Sequence, residues 1–173
     1  MKNVIISMPQ RNCVRFIDIA TLKPGKVVEL PGNCYGVTST KDKILVGAIR
    51  ELYVLDTEGV HMTTITVSKT TRMWYMSTFD DLILYSDQNA IYCVDMEGGE
   101  IFEYRSANLI RPMAVAVDHR RNIYIAGCNS NNIHRINGEG KFIDVVLTQS
   151  DKIDRPWSMC FDTTTSKLIF ANC

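Results

Sequence analysis

Apolar residues in this chain come in runs of four to six, and clusters of polar turn residues separate them at regular intervals. Met113-Ala114-Val115-Ala116-Val117 gives way to Asp118-His119-Arg120-Arg121-Asn122. Three further runs follow, at 123–126, 133–136 and 142–147, cut by Cys128-Asn129-Ser130-Asn131-Asn132 and by Asn137-Gly138-Glu139-Gly140. Short runs rich in Val, Ile, Tyr and Phe, bounded by Asn, Asp and Gly, predict antiparallel strands joined as a meander. Gly and Asn tolerate positive φ, so Asn137-Gly138 suits a tight hairpin. The same reading predicts strands at 74–78, 82–85, 90–94 and 100–104, and before them at 35–39, 43–46, 52–55 and 61–67. No run has helical periodicity, and no Pro- or Ser-rich linker divides the chain.

The pattern repeats. Asn33-Cys34-Tyr35, Arg72-Met73-Trp74, Arg111-Pro112-Met113 and Arg155-Pro156-Trp157 follow one another at 39, 39 and 44 residues. A second set closes the third strand of each unit: Asp18, Asp56, Asp95 and Asn137, at spacings of 38, 39 and 42. A period near 40 with several strands per unit predicts propeller blades. Runs such as Met113 to Val117 are apolar on both faces, as a sheet sandwiched between two neighbours requires. The fold class is therefore all-β, a single partial β-propeller of four-stranded antiparallel blades with about four blades present. Its units run 1–32, 33–71, 72–110, 111–154 and 155–173. Val4-Ile5-Ile6-Ser7 matches the second strand, Ile44-Leu45-Val46-Gly47, and Val14 to Asp18 matches the third. The last unit stops after two strands. The expectation is a fragment of a larger ring, or a short product that self-associates to cover open blade edges.

Arg111-Pro112-Met113-Ala114-Val115-Ala116-Val117-Asp118, Asn122-Ile123-Tyr124-Ile125-Ala126, Asn131-Asn132-Ile133 and Gly138-Glu139-Gly140 together resemble an NHL repeat. The likeness is closest to the C-terminal NHL propellers of tripartite-motif proteins. Arg155-Pro156-Trp157-Ser158-Met159-Cys160-Phe161-Asp162 resembles the start of the next repeat. The resemblance is carried by residues 105–173; the unit before has Met73 in place of the proline. Family members close six blades, so this chain would be incomplete relative to that ring. They also carry a RING finger, B-boxes and a coiled coil, none of which is present here. Ligase activity comes from the RING finger. The resemblance therefore implies a recognition module in a ubiquitin-ligase-like setting, binding protein or, in several members, RNA.

Charge is balanced, with 19 basic and 19 acidic residues, so no global field selects nucleic acid or membrane. The N-terminal apolar run is too short for a secretory signal, and no stretch reaches the roughly 18 apolar residues of a membrane span. Six cysteines, at 13, 34, 93, 128, 160 and 173, form no C-x-x-C pair. They read as reduced thiols, which places the chain in the cytoplasm and argues against a compact zinc site.

By strand direction, the loops leading into each blade share a face with the loops between second and third strands. Lys69 and Arg72, Arg105 and Arg111, and Lys152 and Arg155 occupy the former; Arg50 and the amides Asn129, Asn131 and Asn132 occupy the latter. The hairpins carrying Asp56, Glu58, Asp95, Glu97 and Glu139 fall on the opposite face. A basic face with Trp74, Trp157 and Tyr35 nearby suits a protein partner or, through phosphate contacts and base stacking, RNA. The bland alternative makes the arginines structural pairs between blades and the aromatics core. Catalysis finds little support: His61, His119 and His134 do not converge, and Asp87 with Asn129 supplies too few ligands for Ca²⁺. The expectation is a non-enzymatic binding module with no cofactor, a metal-dependent propeller hydrolase or lyase being the remote alternative.

Overall fold

The computed structural model describes residues 3–69 and 72–173. Met1 and Lys2, in the first predicted unit, and Thr70 and Thr71, at the end of the second, lie outside the described residues. The chain divides into two compact units, Met1–Met73 and Trp74–Cys173.

The first unit holds two antiparallel sheets. One is β1 (Asn3–Met8), β2 (Cys13–Asp18) and β3 (Pro24–Glu29), in that order. The other is β4 (Val37–Ser39), β5 (Lys43–Gly47), β6 (Glu51–Asp56) and β7 (His61–Thr66), each strand paired to the next. Val14, Phe16, Leu30, Cys34, Ile44, Val46, Tyr53 and Leu55 are buried as one cluster, with Ile5, Val28 and Val37 packed on it. The sequence pattern predicts no strand at β3. Its residues, Pro24-Gly25-Lys26-Val27-Val28-Glu29, are nearly all exposed on an outer edge, where no apolar run is demanded.

The second unit repeats the plan. β8 (Tyr75–Phe79), β9 (Leu82–Ser86), β10 (Ile91–Val94) and β11 (Glu100–Tyr104) form one four-stranded meander. β12 (Pro112–Val117), β13 (Ile123–Gly127), β14 (Asn132–Ile136) and β15 (Phe142–Leu147) form the next, and β16 (Pro156–Asp162) pairs with β17 (Lys167–Asn172). Leu84, Ile91, Cys93, Tyr104, Leu109, Val115, Ile123, Ile125 and Ile136 make the core of this unit. Every residue of β10 is buried, whereas β15 exposes Phe142, Ile143 and Val145 on the outer edge. Middle strands such as β10, and the first strand β12, are buried along their length and read as continuous apolar runs, whereas the outer strand β15 is largely exposed.

The repeated acidic position has a local cause. Asp56 Oδ1 accepts the N–H groups of Glu58 and Val60, and Asp95 Oδ1 those of Glu97 and Gly99. Asn137 Oδ1 does the same for Glu139 and Lys141. Each side chain closes the hairpin between third and fourth strands, so these residues act first as turn formers. Positive φ falls on Gly59, Gly98 and Gly140 rather than on Gly138, two residues later than the Asn137-Gly138 reading expects.

Asp118 closes the turn between β12 and β13 in a richer way. It accepts from Arg120 N, Asn122 N, Asn122 Nδ2 and Tyr124 Oη at 2.8–3.1 Å. Burial by itself raises its pKa, but the hydrogen bonds from Asn122, Arg120 and Tyr124 outweigh it and hold the carboxyl below its ordinary value. A depressed carboxylate stabilises the fold above its unfolded pKa, about 3.9, and that contribution is lost as pH falls through the lower folded value. Asp118→Ala is expected to cost about 1–3 kcal/mol in urea unfolding at neutral pH, by stranding these donors. The gap should shrink in acid.

All six cysteines are free thiols, four of them buried and Cys160 and Cys173 exposed. Burial raises Cys34 to about 11 and Cys93 to about 12, so neither is nucleophilic near neutrality. No helix among the described residues is long and apolar enough to cross a membrane.

Candidate functional site

In the second unit, the loop leading into β12 (105–111) and the loop between β13 and β14 (128–131) lie side by side. Cys128 N donates to Arg111 O and Asn129 N to Ile110 O, both at 3.1 Å. Ile110 N donates to Ser130 Oγ at 3.0 Å. The next leading loop (148–155) is held likewise, with Arg155 N donating to Asn131 Oδ1 at 2.8 Å. Asn172 secures that loop, accepting from Asp154 N and donating to Lys152 O. Within this unit, loops of the two predicted types therefore share a face.

Arg111 and Arg155 both sit at positive φ, 56° and 43°. A left-handed conformation costs a non-glycine residue about 1 kcal/mol or more, so the surrounding hydrogen bonds must impose it. The Arg111 side chain lies over the indole of Trp157, the guanidinium carbon 5.2 Å from the ring centroid. Trp157 is 38% exposed, so it is a surface ring with one face covered by a cation. Tyr75 lies close by: burial and Cys128 raise its pKa and Arg111 lowers it. Among the described residues Arg111 makes no ion pair.

The remaining candidates fall differently. Arg105 pairs with Glu103 and donates to Tyr92 Oη at 2.9 Å. Tyr92 in turn donates to the buried Asp87, whose other oxygen accepts from Asn89 N and Ala90 N. Asp87 is thus spent on its own turn. Arg155 stands 3.9 Å from Asp154, a loose exposed pair. Lys152 is exposed and Trp74 half-buried. In the first unit, Arg50 and Lys69 are exposed, and Arg72 lies over the ring of Tyr35, 5.7 Å from its centroid. Tyr35 N bonds Gly47 O, Met73 N bonds Ala48 O and Val67 N bonds Arg50 O, so its leading loops also sit beside the loop between second and third strands.

By sequence the three histidines do not converge. His119 is exposed, with Phe161 6.3 Å away, whereas His134 is buried and ties into the Arg111 loop. Among the described residues, no group of three or more His, Cys, Asp or Glu could hold a metal ion.

No family model and no curated protein matches the chain. Solved structures do. A streptogramin B lyase superposes with a TM-score of 0.75 at 16% identity, over 98% of this chain and 58% of that one. A catalytically inactive histidine-to-alanine variant of virginiamycin B lyase from Staphylococcus aureus, with quinupristin, gives 0.76 at 15% identity, over 98% and 59%. A protein of unknown function from Bacteroides caccae gives 0.71 at 15%, over 98% and 64%.

The fold is a β-propeller. The chain spans about three fifths of the length of these proteins. At such identities the likeness shows the fold alone, and the narrower NHL and tripartite-motif assignment gains no support from it. One expectation is corrected: the reading of this chain as no enzyme does not stand, because its structural neighbours include proteins named as lyases. That reading relied on missing motifs, and a propeller can build a site from single residues on several loops, which leaves no local signature.

Proposed function

We propose that this chain is a recognition propeller that binds a protein partner through the leading loops of its second unit. An acidic side chain of the partner meets Arg111, and an apolar one packs beside Trp157. The observation that carries the reading is the guanidinium of Arg111 stacked on a partly exposed indole, with no carboxylate of its own among the described residues. Arg and Trp in this arrangement are the residue types that dominate interface energetics.

RNA is the weaker ligand. Arg105 and Arg155 already have Glu103 and Asp154 beside them, which leaves few cations for phosphate contacts. The covered face of Trp157 is also closed to a stacking base. The test is titration of the full chain with fluorescent Asp/Glu-rich peptides bearing Leu or Phe, and in parallel with a single-stranded oligouridine. Arg111→Glu should weaken peptide binding by about tenfold or more, while thermal unfolding is unchanged. Unaltered peptide affinity would remove Arg111 from the interface. RNA binding that falls steeply with salt would replace the protein reading.

The neighbours named as lyases favour a second reading, in which the bound ligand is also transformed. Recognition and chemistry are compatible on one face. Incubation with quinupristin, followed by chromatography and mass spectrometry, separates the two: consumption with a new product peak establishes turnover, and unchanged quinupristin removes this substrate.

A further inference from the structure

A chain of polar side chains runs inward from the Arg111 loop to a buried histidine. Ser130 Oγ accepts the Ile110 N–H and donates to Asn132 Oδ1 at 2.7 Å. Asn132 Nδ2 donates to the carbonyl of Asn108 at 2.7 Å and lies 3.2 Å from His134 Nε2. His134 Nδ1 is 2.9 Å from the Tyr104 hydroxyl, and the residue is 1% exposed. A carbonyl only accepts, so Asn108 fixes which end of the Asn132 amide carries hydrogens. The second of those hydrogens points at Nε2, which must then be the acceptor. The ring proton sits on Nδ1 and is donated to Tyr104 Oη.

This arrangement accommodates one ring proton and not two. A proton on Nε2 sets N–H against N–H. The clash is relieved if the Asn132 amide turns over, which puts its oxygen against the Asn108 carbonyl. It is also relieved if Nε2–H takes that carbonyl for itself. The first route breaks the bond from Asn132 to Asn108, and the second makes Asn132 share that carbonyl with the ring.

We propose that His134 is a proton-sensitive latch on the Arg111 loop. Neutral, it holds residues 106–111 in place through Asn132 and Ser130; protonated, it releases them and Arg111 with them. The regulatory consequence rests on Arg111 being a recognition residue, but the latch itself does not. Burial pushes His134 below its ordinary value, with the Asn108 carbonyl opposing. A lowered histidine pKa means protonation favours the released state. The stabilisation is present at neutral pH and is lost as pH falls below the ordinary value of about 6.5.

The groups facing the ring are neutral. They are Tyr104 of β11, Asn132 of β14, the Asn108 carbonyl, and Phe142 of β15 with ring centroids 5.5 Å apart. Ile125 of β13 is the cross-strand partner of His134. Charged neighbours on these elements are engaged elsewhere. Arg135 alternates to the opposite face and pairs with Asp144 at 2.6 Å, and Glu103 pairs with Arg105.

The test is NMR of the full chain without ligand, following the His134 ring and amide exchange across pH. As pH falls from about 6.5 toward about 5, protection of the Ile110 and Asn129 amides, corrected for intrinsic exchange, should fall by up to about tenfold per unit and level off once the His134 ring itself protonates. Leu84 and Ile91 should stay protected. Ser130→Ala, which leaves the ring untouched, should expose Ile110 at every pH. Flat protection of Ile110 from about pH 6.5 down to the His134 titration overturns the latch, as does loss of Leu84 and Ile91 protection together with Ile110. Because no ligand is present, failure here is distinct from failure of the binding reading, which the peptide titration decides.

Discussion

Ile123→Ala is expected to lower the unfolding free energy of the second unit by about 2–5 kcal/mol, whereas Ile169→Ala should cost under about 1 kcal/mol. The chemistry removed is identical and the surroundings differ. Ile123 is fully buried in β13, in one cluster with Leu84, Ile91 and Ile136 from its own and the preceding sheet. Ile169 lies on β17 and is 52% exposed. Truncating Ile123 loses the transfer free energy of its carbons and leaves a cavity among rigid strands that cannot collapse into it. Urea unfolding followed by tyrosine and tryptophan fluorescence reads both variants. Equal costs would mean that the layer between these two sheets is not what holds the unit together.

That layer was largely legible in the sequence, because middle strands buried on both faces leave continuous apolar runs. The turns were legible for a different reason. Asp56, Asp95 and Asn137 close hairpins through bonds to their own backbone two and four residues on, so their positions need no tertiary information. The strand Pro24–Glu29 left no trace because an exposed outer edge constrains composition weakly. Gly140 rather than Gly138 takes the positive φ, since the hairpin is longer than the two-residue turn that Asn-Gly favours.

The candidate site was legible only in part. The period located Arg111 and Arg155 on leading loops, and strand direction put those loops beside Asn129, Asn131 and Asn132. What each arginine meets depends on side-chain direction. Arg105 reaches back to Glu103 two residues earlier, while Arg111 at positive φ reaches Trp157, far along the chain. The role of His134 did carry a signal. Counting three residues back from the turn-forming position gives Tyr53, Tyr92 and His134 in successive units. A buried position that takes tyrosine elsewhere marks an aromatic with a polar end that needs a partner. Tyr53 finds Glu51, Tyr92 finds Asp87, and His134 finds Asn132 and Tyr104.

Gly127→Ala is expected to cost about 1–3 kcal/mol, and Gly138→Ala no more than about 0.5 kcal/mol, although both glycines border turns of one sheet. A Cβ at Gly127 would run into Ser130 Oγ and stand 2.5 Å from Asn132 Oδ1 and 2.9 Å from Leu109 Cδ1. At Gly138 the nearest atom is the Cβ of Arg121 at 3.4 Å, an ordinary contact. The glycine at 127 is therefore a matter of close approach. Ser130, Asn132 and Leu109 converge on the space a side chain would take, and the first two bond Ile110 and Asn108 of the Arg111 loop. Alanine there should push the Ser130–Asn132 pair outward, so that Ile110 exchanges freely even at neutral pH and Arg111 no longer settles over Trp157. The variant should thus resemble the acid-released loop without a proton on His134. Thermal unfolding gives the cost, and amide exchange of Ile110 gives the loop. If Gly127→Ala melts with the parent protein and keeps Ile110 protected, the close approach is not what holds this loop.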